Sequence, residues 1–255
     1  MIPLDDRGLL LGDGLFETVL ARAGELVRLD AHLDRMTAGC ALLGLPAPDR
    51  AAAVAAMRAA LERAGLQDGR AAVRLTWTAG SGGRGLDRPA VPQPRLFATA
   101  APASPPAAPA RLMTSTVRRN DASPASRLKT LAYLDNVLAR REATAAGGDE
   151  ALVLNTRGEL AGGAAANLFW VQGGRLFTPA LECGVLAGVQ RAAVLAAAAR
   201  LGVEAAEVRA GPETLAAADG VFLTNALVGV RPVSAIDGRD CLTSALTDRL
   251  AAAVS

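Results

Sequence analysis

R-L-K-T-L-A-Y-L-D-N-V-L-A-R-R-E-A, residues 127–143, holds Lys129, the one lysine among 255 residues. The other 26 of the 27 permanent cations are arginine. A guanidinium stays protonated in a protein, whereas an amine can lose its proton and act as nucleophile or base. A position that needs a free amine would therefore keep its lysine where arginine has taken every other place. On count alone, a leftover surface cation is an equal reading, and the surroundings must decide. Leu131, Leu134, Val137 and Leu138 recur at helical spacing, which sets the lysine just ahead of a helix.

Outward from that stretch the composition breaks once. A-P-A-S-P-P-A-A-P-A, residues 101–110, has too many prolines for a central strand or a helix interior. The expected division is an N-terminal α+β domain over 1–102, a Pro/Ala-rich linker over 103–110 and a C-terminal domain over 111–255. In the first, E-T-V-L-A and E-L-V-R-L read as a hairpin turning at Ala23-Gly24, followed by a helix with Asp30 as N-cap. A second helix covers 49–64. A-A-V-R-L-T-W-T-A and P-R-L-F-A-T-A then read as strands around a glycine-rich loop. After the linker, R-L-M-T-S-T-V, A-L-V-L-N, N-L-F-W-V-Q, R-L-F-T-P and G-V-F-L-T-N-A read as strands. A helix over 188–201, a strand near Glu207, a short helix near 213–218 and a C-terminal helix complete the chain. The class is α/β, of the α+β kind.

Composition removes several functions. A net charge of +2 from scattered arginines, with 3% aromatic residues, gives no footprint for nucleic acid. No apolar run approaches the length that spans a bilayer, and no charged segment leads into an apolar one at the start. Cys40, Cys183 and Cys241 are odd in number and far apart, which indicates neither a disulfide framework nor a zinc site. His32 is the only histidine, so most Ser-His-Asp, Cys-His and multi-histidine metal schemes fail. The expectation is a cytoplasmic protein with no metal, no membrane and no nucleic-acid partner.

Three short motifs could meet an anion. G-S-G-G-R-G, residues 80–85, matches G-x-G-x-x-G, but Leu86-Asp87-Arg88-Pro89 does not open a helix, so the dinucleotide context is missing. It reads either as a mobile hairpin tip or as a loop that carries Arg84 over an anionic substrate. G-V-L-A-G-V-Q-R, residues 184–191, places glycines just before a helix whose first N–H groups could receive a phosphate. T-N-A-L, residues 224–227, offers amide and side-chain donors near a strand end. Arg35, one turn past His32, reads as a phosphate clamp or as a solvated helix arginine. An amine ahead of a helix together with phosphate-binding residue types suggests pyridoxal phosphate.

G-D-G-L-F-E-T-V (12–19), H-L-D-R-M (32–36), G-S-G-G-R-G (80–85), K-T-L-A-Y-L-D-N-V-L-A (129–139), D-E-A-L-V-L-N (149–155), A-A-A-N-L-F-W-V (164–171), G-V-L-A-G-V-Q-R (184–191) and L-T-N-A-L-V-G-V-R-P-V (223–233) resemble, in order, the class IV aminotransferase family. The resemblance covers nearly the whole chain. It implies a two-domain fold-type-IV enzyme of the D-amino-acid aminotransferase-like kind, with pyridoxal 5′-phosphate between the domains and a homodimer as the working form. It also implies that Lys129 forms the covalent link to the cofactor, that the C-terminal domain binds it, and that Arg35, Gly188, Val189, Asn225 and Ala226 meet its phosphate. Tyr133, the only tyrosine, would orient the cofactor, and Phe16 and Arg84 would face a small-molecule substrate. Asn167 matches the family's asparagine ahead of Leu-Phe, and His32 would be a helix-packing residue.

A-A-N-L-F-W and N-A-L followed by R-P-V resemble the family's 4-amino-4-deoxychorismate lyases most, with D-amino-acid and branched-chain aminotransferases next. Two departures stand out. The family places a glutamate, whose carboxylate pairs with the pyridine nitrogen, five residues before the asparagine; this chain has Gly162. Ala79 stands where the lyases commonly have arginine. Losing the carboxylate lowers the pyridinium pKa and makes the cofactor a poorer electron sink. These departures also support a third reading, a paralogue with lost or altered cofactor chemistry. Restoring the carboxylate through Gly162→Glu is expected to preserve or improve lyase turnover.

Overall fold

The computed structural model describes residues 2–105 and 108–254. It divides into two compact units, Met1–Ser104 with Leu128–Ala132, and Pro105–Arg127 with Tyr133–Ser255. Residues 128–132, placed in the C-terminal domain by the sequence reading, thus pack with the first unit. Of the expected linker over 103–110, Pro106 and Ala107 lie outside the described residues.

The first unit runs α1 (Arg7–Leu11), β1 (Gly14–Arg22), β2 (Glu25–Leu26), α2 (Leu29–Leu43), α3 (Arg50–Arg63), β3 (Arg70–Thr78) and β4 (Arg95–Pro102). Its antiparallel sheet has the order β2-β1-β3-β4. Ala23 and Gly24 both take positive φ, 47° and 80°, the two left-handed positions that a tight hairpin turn requires. Asp49 caps α3 by accepting from the Ala52 N–H at 2.8 Å. The cap expected at Asp30 is displaced: α2 starts two residues earlier, after Arg28 in a left-handed conformation with no side-chain cap. Asp30 instead pairs with Arg50 at 2.8 Å.

Alternation along β1 and β3 separates two faces. Val19, Ala21, Val73 and Leu75 join Leu33, Met36 and Cys40 of α2 and Ala53, Met57 and Leu61 of α3 in the core. Phe16, Thr18 and Arg74 occupy the other face, Thr18 directly opposite Arg74 in register. β2 covers only the far end of β1, so the near half has an open edge. Residues 128–132 fill it: Phe16 N–H donates to the Lys129 carbonyl at 2.9 Å, and Leu131 N–H donates to the Gly14 carbonyl at 3.0 Å.

The second unit comprises β5 (Ala110–Arg119), α4 (Leu134–Ala145), β6 (Glu150–Asn155), β7 (Leu160–Gly163), β8 (Asn167–Gln172), β9 (Arg175–Pro179), α5 (Val189–Arg200), β10 (Ala205–Val208), β11 (Gly220–Asn225), β12 (Gly229–Ile236), β13 (Arg239–Asp240) and α6 (Ala245–Ala253). Its mixed sheet has the order β10-β9-β8-β11-β12-β5-β6-β7, with β13 beside β12. The sheet curls, for Leu160 N–H on the last strand donates to the carbonyl of Ala210, just past the first strand in that order, at 2.8 Å. Leu112, Leu152, Leu160, Leu168, Trp170 and Leu223 form one core. Phe169 and Phe222, stacked at 5.1 Å, form another with Val194, Ala198 and Leu250. The fold class is the mixed α/β class read from the sequence.

α4 corrects the helical spacing read there. The helix begins at Leu134, and Leu134 and Val137 are 68% and 58% exposed. Ala139 and Ala143 are the residues it buries, against Ala151 and Val153. The larger apolar side chains face outward because only alanine permits the helix backbone to approach the sheet closely.

Candidate active site

In the first unit, Lys129 has its backbone in the pairing with β1 and its amine over the ring of Phe16, 4.2 Å from the centroid. Arg74 Cζ lies 3.5 Å from the same centroid. These two distances cap the separation of an amine and a guanidinium that share one aromatic side chain. The sequence reading did not include Arg74; its signal was the alternation of β3, which puts it on the Phe16 face.

Arg35 is held on the opposite, helix-covered face of β1. It donates from Nε to Glu17 Oε1 at 2.8 Å and from Nη2 to Oε2 at 2.5 Å. His32 Nδ1 lies 2.6 Å from the same Oε2, so His32 is a hydrogen-bonding partner of a buried carboxylate rather than a residue that only packs. Ala79 is fully buried in the first core, so no side chain there is placed to meet a substrate.

The glycine-rich loop is not a loose tip. Buried Arg7 donates to the carbonyls of Asp87 and Leu86, each at 2.9 Å, and its Nε meets Asp13 at 2.9 Å. Arg84 sits exposed at a turn closed by Asp87 N–H donating to its carbonyl at 3.2 Å. No helix follows, as expected from Leu86-Asp87-Arg88-Pro89.

In the second unit the start of α5 has the features of an anion site. Gly188 is its N-cap, with no side-chain cap bond and no acid in the first turn. Asn167 donates from Nδ2 to the Leu186 carbonyl at 2.9 Å, and a Cβ on Gly188 would overlap its Oδ1. Glycine is required there by close approach. Thr224 is the cross-strand partner of Asn167, so it points to the same face. It is fully buried, and its Oγ1 has no hydrogen-bond partner. A buried hydroxyl left unmatched beside a helix start whose N–H groups lack an internal acceptor fits a bound phosphate. Val189 opens that helix and is buried. Asn225 has both polar atoms engaged: Oδ1 accepts from Leu227 and Val228 N–H at 2.9 Å each, and Nδ2 donates to the Ala165 carbonyl at 3.0 Å. Its side chain therefore builds the turn that presents Ala226. Tyr133 supplies the backbone cap of α4 and is half-buried.

Gly162 is buried with φ +100°, and a Cβ there would stand 2.9 Å from the Ala166 carbonyl oxygen. That conformation changes the expectation for Gly162→Glu: the backbone is arranged for glycine alone. No nearby acid replaces the carboxylate. Glu150 accepts from Ala151 and Ala164 N–H at 2.9 and 3.1 Å through Oε1 and is ion-paired through Oε2 with Arg140. Arg119 donates to the Gly163 carbonyl at 3.1 Å. Burial holds its pKa below the usual arginine value, against the opposing pull of Tyr133, Asp135 and Glu150. Glu159 is engaged with Asn155, Arg157 and Arg209.

That last network has a pH consequence. Hydrogen bonds from Asn155, Arg209 and Arg157 hold the Glu159 carboxyl down at about 2, and the Ser115 and Thr116 hydroxyls with the Thr116 N–H hold Glu142 at about 2. A depressed carboxyl contributes stability above its unfolded pKa, here 4.5, and loses it as pH falls toward the folded value. Thermal melts should therefore fall in midpoint between pH 4.5 and about 2. Glu142→Gln should flatten that slope; an unchanged slope would remove the assignment.

Among the described residues no group of three or more His, Cys, Asp or Glu side chains could hold a metal, and no helix is long and apolar enough to cross a membrane. Residues 14–236 match the family described as amino-transferase class IV, and the chain belongs to it. It is 31% identical over 243 residues to the aminodeoxychorismate lyase of Vibrio harveyi, covering 92% of this chain and 87% of that one. It superposes on the crystal structure of 4-amino-4-deoxychorismate lyase from Pseudomonas aeruginosa with a TM-score of 0.86 and 37% identity, over 98% of this chain and 93% of the other. The branched-chain aminotransferase from Thermoproteus uzoniensis gives a TM-score of 0.91 with 27% identity, over 99% and 87%. The family's cofactor is pyridoxal 5′-phosphate.

Proposed function

We propose that this protein is a 4-amino-4-deoxychorismate lyase, which splits its substrate into 4-aminobenzoate and pyruvate. The observation that carries the reading is Gly162. A left-handed glycine stands where transamination gains a carboxylate against the ring nitrogen, whereas the lyase reaction draws driving force from aromatisation of its product. The 37% identity to the Pseudomonas aeruginosa lyase over nearly the full length supports it.

The residues fit the cofactor. The α5 start with Gly188, Val189 and Thr224 would take its phosphate, as would Arg35 and the turn at Asn225-Ala226, and Lys129 would hold its aldehyde. When bound, the cofactor supplies an electron sink for the carbon that carries the substrate amine. Lys129 Nζ, released when the substrate amine takes its place at the aldehyde, would then move the protons: it would take one from the ring carbon that bears the amine and return one to the enolpyruvyl group as pyruvate leaves. Phe16 and Arg74 sit beside that amine in the first unit, and Arg74 would bind a substrate carboxylate. Arg84 remains the candidate for a second anionic contact. Arg74→Gln should raise KM by about tenfold or more, the cost of losing a charge-assisted hydrogen bond, while kcat changes less; an unchanged KM would dismiss this contact.

The deciding experiment supplies 4-amino-4-deoxychorismate to protein loaded with pyridoxal 5′-phosphate and measures aminobenzoate fluorescence and pyruvate. Equal amounts of both products are expected. Conversion of the cofactor to its pyridoxamine form by D-alanine or a branched-chain amino acid, with no aminobenzoate made, would overturn the reading in favour of an aminotransferase. The Thermoproteus uzoniensis likeness favours that second possibility. A homodimer belongs to the same proposal: Leu134, Val137 and Leu138 form an exposed apolar stripe on α4, suited to a second copy. A single-chain mass by sedimentation would refute it.

A further inference from the structure

Glu17 is 1% exposed in the middle of β1 and grips Arg35 through both carboxylate oxygens. Burial alone would raise its pKa, but hydrogen bonds from His32 and Arg35 outweigh that and hold it below the ordinary glutamate value. An ionised carboxylate only accepts, so the proton at the 2.6 Å contact sits on His32 Nδ1, which donates. The Arg35 guanidinium therefore has its Nε and Nη2 fixed on an anchored strand residue, while 17% of its side-chain surface stays exposed. An arginine immobilised in advance gives up little rotamer freedom when an anion arrives.

We propose that Glu17 and His32 are a positioning pair that pre-sets Arg35 as the hook for a phosphate monoester. This rests on the reading in which Arg35 meets the cofactor phosphate, and it assigns that affinity to two buried residues that touch no ligand. A pair that merely stitches α2 to β1 would stabilise the unit without caring whether a ligand carries phosphate. The two roles separate on the ratio of affinities for pyridoxal 5′-phosphate and for pyridoxal.

That ratio is measured by fluorescence titration of the full chain freed of cofactor. In the wild type, phosphate should strengthen binding markedly. Glu17→Gln and His32→Leu should each cut the ratio by about tenfold, the scale of one charge-assisted hydrogen bond. His32→Asn, whose side-chain amide can donate from near the place of Nδ1, should restore it, which keeps the test valid if Glu17→Gln folds poorly. Parallel weakening of both ligands, with the ratio unchanged in His32→Leu, would overturn the positioning role while leaving phosphate binding in place. A wild type that binds both ligands equally would overturn the phosphate reading and this inference together.

Discussion

Lys129→Met should lower kcat by about 10⁴-fold or more, since on the proposed function it removes both the cofactor's covalent anchor and a proton carrier worth about 10²–10⁴ by itself. Lys129→Arg should do the same, which is the informative half of the pair. Arginine keeps the charge and nearly the length, and it can still lie over Phe16, where the amine now sits 4.2 Å from the ring centroid. It cannot release a proton at working pH. Neither change should unfold the first unit, because the segment is tied to β1 through backbone bonds from Phe16 and to Gly14, which no side chain enters. Borohydride reduction of loaded wild-type protein, followed by peptide mapping, should place the modification on Lys129 and leave both variants unmodified. Wild-type turnover in either variant would end the proposal that this amine does the chemistry.

Lys129 could be singled out from the sequence as a candidate because it is the one lysine in a chain of arginines. The α5 start was legible for a related reason: glycine ahead of a helix reports backbone geometry directly. Arg74 and the Glu17–His32–Arg35 network were not, since each depends on which face of a strand meets which helix, and register across β1 and β3 is a non-local property. Most strands could be read locally, but β7, β12 and β13 were not, and neither was the curl of the second sheet; it closes through a bond between Leu160 and Ala210, fifty residues apart. α4 misled for a physical reason. Helical spacing of leucine and valine reports an apolar face, but a close helix–sheet approach favours the alanine face, and leaves the larger residues outward.

Gly162→Glu should fail to improve the enzyme and should destabilise it. Position 162 has φ +100°, a conformation that costs an L-residue about 1–3 kcal/mol, and the added Cβ meets the Ala166 carbonyl oxygen at 2.9 Å. That oxygen cannot step aside cheaply, because it accepts from the Gly163 N–H at 2.8 Å. The strain precedes any effect of the carboxylate, so Gly162→Ala isolates it: both variants should lose stability by similar amounts, about 2–4 °C in melting midpoint for each kcal/mol in a domain of this size. If alanine is tolerated and glutamate is not, the cost lies in burying the acid rather than in the backbone. If glutamate is tolerated and raises transamination of a branched-chain amino acid, the glycine is a simple loss that the fold never accommodated. The left-handed geometry argues for a loss of stability in both variants. Because position 162 holds a backbone that only glycine adopts readily, one substitution is not expected to recover the carboxylate, and the proposed lyase chemistry is one that proceeds without it.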